Sequence, residues 1–177
     1  MPSEVAVQRI LGEVVAARAD ADPLVSTQAY NIRRYRGALY CLKPYPHKEG
    51  DALIWPEDKA CLPITDDKVY EIVVADKGIP CEQWRNAVVT VRFRAGGETI
   101  ELPGRIGHHQ LKKLVQEAGI PPWERAMIPL IYLDDKLAAV GEHWLSAEFY
   151  RESKGACFHI ECHKKNPKGY DGTPVVD

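Results

Sequence analysis

No run of roughly 18 consecutive apolar residues occurs, so no segment reads as a membrane-spanning helix. The start, Met1-Pro2-Ser3-Glu4-Val5, lacks the basic flank and apolar core of a secretory signal. We therefore expect a cytoplasmic protein without a membrane partner. Cysteine is sparse and odd in number: the five residues Cys41, Cys61, Cys81, Cys157 and Cys162 are mostly far apart, which fits free thiols better than a disulfide framework. Enzyme motifs are missing as well. There is no Gly-x-x-x-x-Gly-Lys-Ser/Thr, no Ser-Gly-Gly-x-Asp-Ser, no Gly-x-Gly-x-x-Gly and no His-Glu-x-x-His, so no catalytic residue and no nucleotide-binding loop is assigned. A net charge of −2 argues against a uniformly basic nucleic-acid binder, and no internal repeat is found.

What is present is unevenly distributed. The 177 residues, 45% of them hydrophobic, suffice for a core in one domain or two small ones. From His47 to Glu82 four Lys face nine Asp plus Glu, whereas Arg92 to Lys113 carries five Lys plus Arg against two Glu, with His108 and His109 besides. An acidic stretch precedes a basic one.

Val7, Ile10, Leu11 and Val14 repeat at helical spacing behind Ser3 as N-cap, predicting a helix over 3–18 that ends at Asp20-Ala21-Asp22-Pro23. Tyr30–Arg34 and Ala38–Leu42 predict a hairpin around Arg36-Gly37, and Pro44 to Gly50 reads as a linker or domain boundary. Leu53–Trp55 and Tyr70–Val74 are taken as short strands. Val89, Val91 and Phe93 alternate with polar residues, as do Ile100 and Leu102, predicting a second hairpin turned by Ala95-Gly96-Gly97-Glu98. Leu111, Leu114, Val115 and Ala118 give the main helix, over 108–118, a buried stripe, and Gly119 is its stop. Pro121 to Arg125 starts a short helix. Leu130–Leu133 and Leu137–Val140 form a third hairpin across Asp134-Asp135-Lys136, and Cys157–Cys162 a last strand. The expected fold is α+β and β-rich: three hairpins and one main helix from about residue 86 to 165, after the end of a smaller unit. The boundaries are 1–45 for that unit, 46–87 for an acidic connector, 88–165 for the main domain and 166–177 for a flexible tail.

The strongest positive signal is the cationic start of the main helix. Positive side chains in a first turn oppose the macrodipole at a cost of about 0.3–1 kcal/mol each. A phosphate relieves this by accepting from the free N–H groups while pairing with Arg105, Lys112 and Lys113. A solvated basic face with no ligand accounts for the residues equally well. Arg33, Arg34 and Arg36 around Tyr35 offer a second patch suited to phosphates and stacking, or an ordinary solvated hairpin. Trp123 reads as a core or staple aromatic before a base platform. Cys157, His159, Cys162 and His163 are good zinc ligand types, but in a strand Cys162 points away from the other three and a second ligand cluster is lacking, so no metal site is assigned. Gly96-Gly97, followed by Glu98, is a turn and not a phosphate cradle. His143 beside Glu142 shows no catalytic constellation.

The run from Leu102-Pro103-Gly104-Arg105 through Lys112-Lys113-Leu114 to Glu117-Ala118-Gly119-Ile120-Pro121-Pro122-Trp123-Glu124-Arg125 closely resembles the C-terminal domain of bacterial tRNA(Ile)-lysidine synthetases. It continues in Ile128–Tyr132 and Leu137–Val140. Ala16–Pro23 and Ile32–Tyr40 look like the end of that family's middle, substrate-binding domain, so the likeness covers about residues 3–43 and 88–150. It implies a β-sandwich-like C-terminal domain with one main helix, similar to one in the phenylalanyl-tRNA synthetase β chain, preceded by a helix plus hairpin. The family joins lysine to the wobble cytidine of an isoleucine tRNA with ATP, changing the codon read from AUG to AUA. Its chemistry sits in a PP-loop domain that would hold ATP, Mg and L-lysine and whose Ser-Gly-Gly-x-Asp-Ser is absent here, so the chain is expected to be inactive alone. As a tRNA-gripping part facing the acceptor-stem region, it would use Arg105, His108, His109, Lys112 and Lys113, assisted by Arg92, Arg94, Arg125, Arg33 and Arg34. Glu142-His143-Trp144 departs from the family's Pro-Gly-Leu before Trp, so no contact is assigned to that loop. Homodimerisation stays open. A rival reading makes Trp123, Ile128 and Trp144 an apolar patch for docking another protein.

Overall fold

Ser3 caps the first helix as its position predicts, its hydroxyl accepting from the Ala6 N–H at 3.2 Å. The structure is a computed structural model that describes residues 3–18, 21–42, 52–65 and 67–164. It divides into two units, Met1–Lys48 and Glu49–Asp177.

In the first unit α1 (Glu4–Arg9) does not continue as an α-helix. Ile10–Val15 form a π-helical turn, closed by the Ala16 N–H on the Leu11 carbonyl at 3.1 Å. The wider spacing turns Val14 fully inward but leaves Val7 and Leu11 40% and 51% exposed, so the expected four-residue stripe is reduced to one buried anchor. β1 (Leu24–Ser26), β2 (Asn31–Tyr35) and β3 (Ala38–Leu42) make one antiparallel sheet in that order. The predicted hairpin is β2–β3, turned at Arg36 (φ 48°) and Gly37 (φ 81°), the positive pair that a two-residue hairpin loop demands. β1 was not expected; it seats the buried Val25. The predicted linker 44–50 and tail 166–177 lie outside the described residues.

The second unit contains β4 (Leu53–Ile54), β5 (Cys61–Pro63), β6 (Lys68–Pro80), α2 (Cys81–Arg85), β7 (Val89–Arg92), β8 (Thr99–Glu101), β9 (His108–Gln110), α3 (Leu111–Glu117), α4 (Pro122–Arg125), β10 (Leu130–Leu133), β11 (Lys136–Val140), β12 (Trp144–Leu145) and β13 (Arg151–Lys164). A five-stranded sheet, β12-β11-β10-β7-β4, is its middle layer. Alternation on β10 sends Ile131 and Leu133 to one face and Leu130 and Tyr132 to the other. The first face packs on the sheet β13-β6-β5, around Val91, Ile79 and Ile160. Trp84 there meets Trp55 and Phe158 edge-on at 5.3 and 6.2 Å. The opposite face is covered by α3 and the hairpin β8-β9 through Ile100, Leu111, Leu114 and Val115. The fold is thus β-rich with a sheet-on-sheet core and one main helix, as expected.

Three expectations change. β8 does not pair with β7, because both edges of β7 are occupied, by β10 and β4; β8 pairs with β9 instead. The main helix begins at Leu111 and not at His108, since His108–Gln110 are held in that ladder. The segment 46–87 is, in its described part, woven into the second unit rather than connecting to it: β4 pairs with β7, and β6 with β13. Two expected turns are in place. Gly119 stops α3 at φ 72°, and Asp134 (φ 47°) with Asp135 (φ 66°) turns the β10–β11 hairpin.

Candidate nucleic-acid interface

The loop 102–107 joins β8 to β9, and β9 runs straight into α3, so Arg105, His108, His109, Lys112 and Lys113 follow one another through a loop, a strand and a first helical turn. Arg105 is exposed on the loop. Lys112 and Lys113 are exposed because Leu111, Leu114 and Val115 commit the opposite side of α3 to the core. α3 has neither an acidic residue in its first turn nor a side-chain cap from Gln110. Only two of the five cationic positions lie in the helix, and it is two turns long, so the macrodipole adds less than the sequence implied. The decisive feature is the missing partner. Among the described residues no carboxylate forms an ion pair with Arg105, Lys112 or Lys113.

The two histidines part ways. His108 is exposed, its Nε2 lying 3.1 Å from the Glu101 carboxylate across the ladder. His109 stands opposite Ile100 on the covered side, its Nε2 shut from solvent and without a hydrogen-bond partner among the described residues. It is poorly placed to touch a ligand.

The remaining arginines are engaged within the chain. Arg92 pairs with Asp135 and stacks 4.5 Å over the Tyr132 ring. Arg94 lies 3.8 Å from Glu98, the two side chains only 13% and 14% exposed. Burial pushes the Glu98 carboxyl up, but N–H donors of Gly96 and Ala95 and the Arg94 guanidinium outweigh it and hold it below the usual carboxylate range. The expected glycine turn is thus tied by the acid that follows it. Arg125 donates to the Ile120 carbonyl at 2.7 Å. In the first unit Arg33 pairs with Asp22 at 3.1 Å. Arg34 spans the carbonyls of Val15 (2.9 Å), Ala17 and Arg18 (2.6 Å), satisfying the end of the π-helical turn.

A second polar cluster was not visible in the sequence, because its members come from distant strands. Tyr70, Glu142, His143 and Cys162 line a cavity of about 250 Å3 beside the α3–α4 turn. Glu142 accepts from the Cys162 N–H at 3.1 Å, and Lys68 lies 3.9 Å from Glu124. Burial raises the Tyr70 hydroxyl and the Cys162 thiol, so both stay neutral. Cys157 is buried in β13, and His163 sits 3.3 Å from Glu71. The rival docking patch is not assembled either: Ile128 is 4% exposed, and Trp144 packs on the core around it.

Two families match this chain: "TilS substrate C-terminal domain" over residues 89–162, and "TilS substrate binding domain" over residues 1–40. The tRNA(Ile)-lysidine synthase of Methylococcus capsulatus is 35% identical over 145 residues. The chain belongs to the tRNA(Ile)-lysidine synthase family. That relative is matched over 81% of this chain and 33% of its own length. The synthase of Legionella pneumophila strain Paris is 38% identical, over 85% of this chain and 34% of its own. That of Pectobacterium atrosepticum is 36% identical, over 90% and 36%. The chain thus spans about a third of the length of these curated synthases. A solved structure, "Crystal structure of TILS C-terminal domain", overlaps 67% of this chain and all of its own at 21% identity, with a TM-score of 0.49. Arg105, His108, Lys112 and Lys113 fall inside the stretch matched to the synthases' C-terminal domain; Arg33 and Arg34 fall inside the other.

Proposed function

We propose that this chain grips tRNA for a tRNA(Ile)-lysidine synthase, through the surface formed by Arg105, His108, Lys112 and Lys113. The observation that carries the reading is the set of exposed cations on loop 102–107 and the first turn of α3 that no carboxylate among the described residues neutralises. Phosphates complete such a set: Arg offers a planar fork, Lys a point charge. Arg92, Arg94, Arg125, Arg33 and Arg34, each engaged internally, shape the scaffold and contribute at most secondary contacts. The partner is the acceptor-stem region of an isoleucine tRNA. Phosphate contacts would orient that tRNA without reading its sequence.

The whole-protein activity we infer is ligation of lysine to the wobble cytidine at the expense of ATP, changing the codon read from AUG to AUA. ATP, Mg and L-lysine would be bound by a PP-loop domain outside these residues, and the present chain would not ligate by itself. Among the described residues no helix is long and apolar enough to cross a membrane; the setting we infer is the cytoplasm. Filter binding of total tRNA at two salt concentrations tests the grip. Lys112→Ala and Lys113→Ala should each weaken binding and shallow the log–log salt slope by about 0.7–0.9. Binding with unchanged strength and slope refutes the assignment.

A further inference from the structure

Ile106 stands out among the described apolar side chains at 101% exposure. Its loop is fastened. Gly104 (φ 72°) and Gly107 (φ 84°) bracket it, the Arg105 N–H closes a turn on the Leu102 carbonyl at 3.1 Å, and the β8–β9 ladder clamps both ends from Thr99↔Gln110 to Glu101↔His108. Single exposed aliphatics are ordinary on protein surfaces. This one sits in the loop 102–107, flanked along the chain by cations that lack carboxylate partners, Arg105 immediately before it and Lys112 and Lys113 just past β9.

Cations so arranged attract a phosphate backbone, and an exposed apolar side chain on the segment that joins them can meet what lies between two backbones, the sugars and base edges of a groove. The minor groove of A-form RNA is wide and shallow and lined with ribose, whereas that of B-form DNA is only about 6 Å wide. We propose that Ile106 is a shape-reading contact that seats in the minor groove of an A-form RNA stem while Arg105, Lys112 and Lys113 take the flanking phosphates. This rests on the tRNA-gripping reading above and adds to it a preference for duplex RNA over single-stranded RNA and over duplex DNA.

Fluorescence anisotropy with the 177-residue chain tests it against a labelled RNA hairpin stem, a DNA hairpin of the same sequence and a single-stranded RNA of equal length. The wild-type chain should favour the RNA stem. Ile106→Ala should weaken that binding about tenfold, the effect of losing one buried aliphatic contact, with an unchanged salt slope and a narrowed preference over DNA. As the side chain touches solvent alone, thermal melting of the variant should match wild type. Ile106→Ala and Ile106→Ser binding the RNA stem as tightly as wild type overturns the proposal and leaves the tRNA grip standing. A wild-type chain that binds none of the three probes overturns both.

Discussion

Gly78 lies directly against the backbone carbonyl of Phe158: a Cβ built on it would fall inside that carbonyl group. Here the β6–β13 ladder shifts register, and Gly78 holds φ 148°. A side chain is excluded by backbone, which has nowhere to move. Gly78→Ala should therefore lose more than about 3 kcal/mol of stability, read by urea denaturation of the Trp55–Trp84 fluorescence. A variant as stable as wild type contradicts the close approach.

Charge loss should sort by partner rather than by sign alone. Lys112→Ala and Arg105→Ala remove exposed cations without carboxylate partners, and each should lower tRNA affinity and the salt slope. Arg92→Met removes a guanidinium held by Asp135 and Tyr132, and should cost less binding than either. Equal losses across the three, in filter binding at matched salt, contradict the proposed division.

Acid should act in two windows. His143 titrates below the usual imidazole value of 6.5 because of burial, aided by Lys68 and opposed by Glu142 and Glu124. Its pKa is depressed on folding, so the unfolded chain takes the proton first. Stability is fully present above the ordinary value and falls as the pH drops through the folded one. Glu98, also depressed, adds a second loss below its ordinary 4.5. Melting temperature should begin to decline as the pH falls below His143's ordinary value of 6.5, and His143→Gln should flatten that part alone. An unaltered slope in that variant argues against a buried neutral imidazole.

Arg34 is expected to matter for folding more than for binding. Arg34→Met frees the carbonyls of Val15, Ala17 and Arg18 and should destabilise the first unit by about 1–2 kcal/mol, the value of charge-assisted bonds near the surface. Hydrogen exchange of the amides in 4–16 should speed up; unchanged protection speaks against the cap.

Much of the fold could be read locally. Ser3, the Asp134-Asp135 turn and Gly119 act through neighbours a few residues away, so short-range rules found them. Strand partners were harder. Alternation in Ile100 and Leu102 tells which face is buried but not which strand lies alongside, and the competition of β4 and β10 for β7 is a long-range fact. The π-helical turn shows no period of its own, so Val7 and Leu11 read as core and are not. At the site, the exposure of Lys112 and Lys113 followed from the helical stripe. The engagement of Arg92 by Asp135, and of Arg34 by carbonyls sixteen to nineteen residues upstream, required the folded chain.

The ladder of β6 with β13 has a consequence for synthesis. Lys68 meets Lys164, so the strand that opens the larger sheet-on-sheet core is completed by one made long after it. Until that late strand leaves the ribosome, the edge of β6 opposite β5 has no partner, and the sheet that covers the inner face of the middle layer is incomplete. Folding of this unit thus waits on closure of one long loop and is set to be slow. A nascent chain stalled before residue 151 should remain protease-sensitive, whatever helices it has already formed.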